Sequence, residues 1–395
     1  MLIAGGGYAD VPLIRAAQRL GFFVITTGNR PQDLGHRYSD AYYDEDFSSP
    51  EAMLDLAQRQ DASAVCACCN DFSAISCAYV AERLGLPGHD SAETARTIHH
   101  KDLFREFSRQ HAMPVPAAYG ARSVEEATDR LDTLRFPIIV KPVDLTGGKG
   151  ISVIHRPEQA IDQIRRAFDI SRAKRVVVEE FVTGTRHGYS AFLVGGKIRF
   201  QFFDNEHYFL NPYMVSAAST PGLVPESALE VLRHASERYA ELLSLKDGIF
   251  HVQFILHDGM PVIIEICRRA PGDLYVSLVQ HATGIDYPSW IVRASAGMDC
   301  SEIEPREITG FWTRHCVMPS ELGYLKDIEV DASVRDKIVE EHAFWTVGQK
   351  ISDLMTTKFG IVFLRFDDSS EMMNQTEKMQ ELIRPVIVSA SENQE

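Results

Sequence analysis

Two lysines, a glycine-rich turn and a glutamine–glutamate pair are the residues of this 395-residue chain whose types and spacing suit polyphosphate chemistry. Lys141 closes the apolar run Phe136 to Val140 and is followed by Asp144-Leu145-Thr146-Gly147-Gly148-Lys149-Gly150. Glycines free the backbone to turn several amides inward. Such a nest, with a lysine at its root, gives phosphates positive charge at little cost in side-chain entropy. Lys101 lies upstream at the start of an amphipathic stretch, where by itself it reads as a solvated lysine. Glu179-Glu180-Phe181-Val182 ends another apolar run, setting acids beside apolar residues that could flank a purine ring; an exposed strand end is the plainer reading.

The last group is His251-Val252-Gln253-Phe254 and Glu265-Ile266-Cys267-Arg268-Arg269, on either side of the turn His257-Asp258-Gly259. A hairpin there lets Gln253 and Glu265 face one cleft. A carboxylate with an amide oxygen is what Mg2+ takes when phosphate oxygens and water fill its other positions. Arg269 adds a planar cation beside them, suited to a transferring phosphoryl group or a carboxylate, with a structural ion pair as its plainer role and the expected one for Arg268. Cys267, on the same strand, is a poor Mg2+ ligand as a neutral thiol. His187 and His251 are weaker candidates for a base.

These residues need elements to hold them. Met1 to Ala4, Phe22 to Thr26 and Ala64 to Cys69 read as buried strands, alternating with helices at Val11 to Leu20, Pro50 to Gln60 and Ser73 to Leu84, the pattern of a parallel sheet. Gly5 and Gly7 tempt one toward a dinucleotide fingerprint, but Asp10 fills the place of its third glycine and Thr26-Thr27-Gly28-Asn29 offers no acid to a ribose. A tight strand-to-helix turn lining a cleft at the strands' carboxyl ends is expected instead. Thr94 to Gln110 is predicted as one helix carrying Lys101, ended by Met113-Pro114-Val115-Pro116. Strands at Phe136 to Lys141, Ile151 to Ile154 and Val176 to Phe181 with a helix at Pro157 to Phe168 make a small α/β unit. A hairpin turning at Gly195-Gly196, a helix at Ser227 to Leu243 and the strands Phe250 to Leu256 and Pro261 to Ile266 follow. Short strands and a closing helix at Glu371 to Ile383 end the chain.

A formal charge of -15 leaves no electrostatic footprint for nucleic acid or an anionic membrane. The apolar opening is too short for a signal peptide, and no apolar run approaches the roughly 20 residues of a membrane span, so a cytoplasmic location is expected. Seven cysteines, without paired zinc spacing, read as free thiols; Cys66, Cys68, Cys69 and Cys77 are expected to be core.

Lys101, Lys141, Gly147-Gly148-Lys149-Gly150, Glu179 to Val182, Gln253, Glu265 and Arg269 occur in the order of the ATP-grasp superfamily, which the chain resembles over residues 1–300. Pro114-Val115-Pro116 and Arg269-Ala270-Pro271-Gly272 make it look like the carboxylate-amine ligases of that superfamily, such as L-amino-acid ligases and the ATP-grasp domains of carbamoyl-phosphate synthetases. The resemblance implies an α/β ATP-grasp fold: an N-terminal parallel-sheet (pre-ATP-grasp) domain at 1–95, a linking helix at 96–114, a small α/β lid at 115–185, a central ATP- and metal-binding subdomain at 186–300 and a C-terminal antiparallel α+β subdomain at 301–395.

It implies ATP with Mg2+, or Mn2+ in its place. Lys101, Lys141, Gly147, Gly148 and Lys149 would hold the phosphates, Glu179, Glu180, Phe181 and Val182 the adenine, and Gln253 and Glu265 the metal. Arg269 and Lys141 would act in catalysis. The activity implied is phosphorylation of a carboxylate to an acyl phosphate that an amine then attacks, in amino-acid or peptide-like ligation releasing ADP and phosphate. The partners are then small carboxylates and amines, with a homodimer allowed. Two departures stand out: Cys267 replaces the family's usual asparagine, and Thr183 to Gly188 lacks the acid that usually holds the ribose. They keep open a nucleotide-binding protein without turnover, beside a carboxylase or amidating enzyme acting on a purine precursor or an activated sugar. Phe311-Trp312-Thr313-Arg314-His315 is a candidate substrate wall.

Overall fold

The structure, a computed structural model, describes residues 1–145 and 147–389; Thr146 of the glycine turn lies outside the described residues. The chain forms two compact units, one of Met1–Phe202, Val224–Ser277 and Ile285–Arg306, the other of Phe203–Leu223, Leu278–Gly284 and the chain from Glu307 onward.

The first unit opens with β1 (Leu2–Ala4), α1 (Val11–Arg19), β2 (Ile25–Thr27), β3 (Ala41–Tyr43), α2 (Pro50–Arg59), β4 (Val65–Ala67) and α3 (Asp71–Leu84). The strands form a parallel sheet in the order β3-β2-β1-β4. The elements expected from periodicity are present, and short, partly exposed β3 joins them. Residues of α2 and α3 such as Leu56, Cys77 and Val80 pack with Leu2, Ala4 and Val65 of the sheet. Asn70 starts α3 by accepting from the Phe72 N–H, and Gly85 ends it in the left-handed conformation, φ +66°.

The single helix expected over Thr94 to Gln110 is two, α4 (Ala92–His99) and α5 (Lys101–Gln110). His100 is extended, φ -100° and ψ 116°, and serves as the last cap of one and the first of the other. Amphipathic periodicity runs through both pieces, so it could not reveal the break. Next come β5 (Ala118–Ala121), α6 (Val124–Thr128), β6 (Ile138–Pro142), β7 (Ser152–Ile154), α7 (Ala160–Ile170) and β8 (Val176–Glu180). The sheet order is β5-β8-β6-β7, and β5 was not foreseen. Ile138, Val140, Val176 and Val178 on one face pack against Ile164, Ala167 and Phe168 of α7.

β9 (Thr185–Val194) and β10 (Lys197–His207) form the glycine hairpin, with Gly195 and Gly196 at φ +58° and +75°. The helix Glu226–Leu242 follows within this unit, and strand Gly248–His257 then pairs with β9 and with strand Met260–Cys267. No helix among the described residues is long and apolar enough to cross a membrane.

In the second unit the end of β10 pairs with Ala217–Thr220, which pairs with Phe311–Val317, then Gly360–Phe366 and Ile338–Ala343. Gly323–Val330 pairs with Lys350–Ile351 and with Ile383–Val388. The closing helix expected over Glu371 to Ile383 is corrected to two short helices, Ser369–Thr376 and Met379–Leu382, and Ile383 begins a strand. The β-branched Ile383, Val386, Ile387 and Val388 suit that strand's pleat, whereas Lys378 leaves helical geometry at φ -103°.

Candidate functional site

Alternation along two neighbouring strands creates the first part of the site. In β6 and β8 the even-numbered residues Ile138, Val140, Val176 and Val178 face α7, so Lys141 and Glu179 point to the opposite face. There the Lys141 Nζ donates to a Glu179 carboxylate oxygen at 2.7 Å, with Glu179 only 1% exposed. Adjacent Glu180 turns the other way and meets the exposed Arg135 at 3.0 Å. The two neighbouring acids therefore do separate things, and neither carboxylate is left unpaired. The Phe181 N–H donates to the Pro137 carbonyl at 2.9 Å.

Sequence reasoning missed the second cation on Glu179. Arg105, 2% exposed, lies with its Nε 2.9 Å from the other Glu179 oxygen and donates to the Ile264 carbonyl at 2.7 Å. Its only sequence signal was its place four residues after Lys101 on α5, which puts both on one face. Burial opposes charge on Glu179, but Arg105 and Lys141 outweigh it and draw its pKa down to about 2. Lys141 is shifted the unfavourable way. Burial lowers its pKa, and the charges of Arg105 and Lys101 offset what Glu179 returns.

Lys101, the first residue of α5, reaches the Glu265 carboxylate at 3.4 Å and the Leu145 carbonyl of the glycine turn at 3.5 Å. Burial works against its charge, and Glu265 with Asp71 more than restores it, raising its pKa. The turn is rooted by Asp144, which accepts from the Ser171 hydroxyl and the Ala173 N–H. Gly147, Gly148 and Gly150 all have left-handed φ values, +68°, +80° and +72°. Lys149 is exposed.

Gln253 and Glu265 are direct cross-strand partners, which places both side chains on one face, and His251 pairs with Cys267 two residues further on. Among the described residues no group of three or more His, Cys, Asp and Glu could hold a metal unaided. One carboxylate with one amide oxygen nevertheless fits Mg2+, which keeps several waters and completes its shell with substrate phosphates. Cys267 does not extend that set, because burial pushes its thiol up to about 12. His251 is buried against Ser190, and burial followed by the Arg269 charge lowers its pKa to about 3. His187 is buried too and bonds to Thr185.

Arg269 meets Asp71 at 2.9 Å, and Arg268 forms a separate ion pair with Asp90 at 2.8 Å. Around the cleft, four cations (Lys101, Arg105, Lys141, Arg269) face three carboxylates (Asp71, Glu179, Glu265), a local excess of positive charge in an acidic chain. The glycine turn after β1 lines a cavity of about 320 Å3 with Thr27, Arg30, Cys69, Asn70 and Gly272, the last three close in the chain to Asp71 and Arg269. Asp10 replaces the glycine of a dinucleotide fingerprint because its carboxylate accepts from the Gly7 and Cys69 N–H groups, pinning two loops together. All seven cysteines are free.

Residues 99–210 match the family model of the phosphoribosylglycinamide synthetase ATP-grasp (A) domain. The large chain of carbamoyl phosphate synthase from Methanothermobacter thermautotrophicus is 25% identical over 312 residues, 75% of this chain and 29% of that one. The chain spans 27–39% of the length of the first such relatives it matches. The crystal structure of an L-amino acid ligase from Bacillus licheniformis superposes with a TM-score of 0.81 at 17% identity, covering 98% of both chains. Phosphoribosylglycinamide synthetase from Anaerococcus prevotii gives 0.76 at 21%, covering 98% of this chain and 99% of that one. The chain thus shares the fold of these enzymes, and its residues 99–210 resemble an ATP-grasp domain.

Proposed function

We propose that this protein is an ATP-dependent ligase that activates a small carboxylate as an acyl phosphate and joins it to an amine, in amino-acid or peptide-like ligation. One observation carries the reading: Lys101 spans the carbonyl of Leu145 in the glycine turn and the carboxylate of Glu265, so phosphate loop, cation and metal-binding strand converge. The relatives support it, since the L-amino acid ligase shares the fold over nearly its whole length.

In this mechanism Lys101, Lys141 and the amides of Gly147 and Gly148, with Lys149 at the tip, hold the ATP phosphates, and residues 115–185 act as the lid. The end of β8 and the two residues after it, Glu179 to Val182, border the adenine through backbone and apolar groups, the Glu179 carboxylate being committed to Lys141 and Arg105. Gln253 and Glu265 would hold Mg2+, which neutralises phosphate charge when bound. A carboxylate oxygen of the substrate attacks the γ-phosphorus and the bond to ADP breaks. The amine then attacks the acyl carbon, phosphate leaves with that oxygen, and the amine loses a proton to solvent. Arg269 stabilises charge on the transferring group. No protein nucleophile is required.

Full-length protein with ATP, Mg2+ and pooled amino acids is expected to release ADP and phosphate in proportion to product. Release with bicarbonate in place of amino acids would redirect the assignment to a carboxylase. The replacement of the family's asparagine by buried Cys267 favours a second reading, nucleotide binding without turnover, and ATP binding with no phosphate release across the panel would establish it.

A further inference from the structure

Arg269 stands beyond the end of strand Met260–Cys267, so the ladder does not fix its direction. Its Nε and one terminal nitrogen lie 3.0 and 2.9 Å from the same oxygen of Asp71, and its other terminal nitrogen donates to the Ala270 carbonyl at 3.2 Å. Asp71 is the first residue of α3, where the helix N-terminus favours a carboxylate. The same Asp71 oxygen receives the Nδ1 of His99, the last residue of α4, whose side chain is 1% exposed. Side chains 28 and 198 residues away in sequence thus meet on one oxygen of Asp71. Burial would raise the Asp71 pKa, but Arg269 and then His99 hold it well below the usual carboxylate range.

We propose that Asp71 is the positioning residue for Arg269, with His99 bracing Asp71 from behind. Two guanidinium nitrogens on one oxygen, with the third on the Ala270 carbonyl, fix the plane of the guanidinium as well as its location, as a lysine ammonium could not be fixed. The imidazole, donating from Nδ1, stops the carboxylate from rotating. This rests on the ligase reading, in which Arg269 meets the transferring group. A packing role alone would make the pair a stability device, and the two roles separate in experiment.

The first arm uses no substrate. In 15N-labelled full-length protein the Arg269 Nε–H signal, assigned by its loss in R269K, is expected to be protected from exchange in wild type and in H99N, which keeps a donor near the position of Nδ1. It should lose protection in D71N. Unchanged protection in D71N would overturn the proposal.

The second arm measures phosphate release. D71N is expected to lower kcat about 100-fold, as a small misplacement of a catalytic group does, with ATP affinity unchanged. H99L should fall part of that way and H99N should recover. The D71N/R269A double variant should be no slower than R269A, since Asp71 acts only through Arg269. Losses that multiply in the double variant, or an equal fall in ATP affinity, would overturn it. A wild-type chain that binds ATP but releases no phosphate would sink the ligase reading, while the first arm still decides whether Asp71 holds Arg269.

Discussion

Glu179 serves two cations, and that arrangement makes the Lys141 charge available to something else. A lone Lys–Glu pair would neutralise itself, but Arg105, Lys141 and Glu179 together leave one cation in excess in a buried place. A polyphosphate would satisfy it, so K141A is expected to weaken ATP binding at least tenfold, about 1.4 kcal/mol, by calorimetry. Normal affinity in that variant would remove the basis of the site. The same carboxylate gives a pH dependence. Its pKa falls from 4.5 unfolded to about 2 folded, so its contribution is complete above about pH 4.5 and disappears as pH drops toward 2. Urea midpoints should decline through that window, and E179Q should remove part of the decline, a contribution on the order of 3 kcal/mol. Replacing Cys267 by the asparagine usual in the ATP-grasp enzymes that the chain resembles is expected to strengthen Mg2+-dependent nucleotide binding several-fold, measured by titration at fixed ATP. Lys141 at a strand end and Gln253 facing Glu265 across a hairpin were legible as positions in the sequence, because strand alternation and a short turn fix them. Arg105 and Asp71 were not, since their roles come from partners far away in sequence; Asp71 and Arg269 are 198 residues apart.

At the scale of elements, long periodic segments declared themselves, and what escaped were short pieces whose existence depends on a neighbour. Strands β3, β5 and Ala217–Thr220 have three or four residues each and are strands because adjacent strands supply hydrogen-bond partners. The break at His100 escaped for the opposite reason, since the hydrophobic period persists on either side of it. The glycine turn was readable as a turn, but its tightness is a tertiary fact. A Cβ on Gly150 would stand 2.0 Å from the Ile170 side chain and 2.9 Å from Pro142, at a φ of +72°. G150V is therefore expected to destabilise the small sheet unit by about 1–3 kcal/mol. Limited proteolysis should show earlier cleavage near α7, and ATP should protect the variant less than wild type. Identical cleavage rates would mean that the turn yields more easily than these distances imply.

For the whole molecule, an acidic chain of net charge -15 gathers a local excess of cations in one cleft of its larger unit. Ligand binding there should stabilise the entire unit that contributes those side chains. ATP with Mg2+ at a hundred times its Kd is expected to add about 2.7 kcal/mol, read as a rise in Tm that K141A at the same ATP concentration cuts to about half or less. A Tm that rises equally in K141A would place the nucleotide elsewhere. The extended His100 bears on all of this, because it gives α5 a rotational phase of its own. In one continuous helix, each residue gained or lost ahead of Lys101 would turn Lys101 and Arg105 by about 100° around the axis, away from the phosphate side. With the joint in place, a change of length in Ala92–His99 is taken up at His100, and the angular setting of both cations answers to the strands they touch. The angular setting of both cations is thereby separated from the length of the helix before them, while His99 and Asp71 still tie that helix to Arg269.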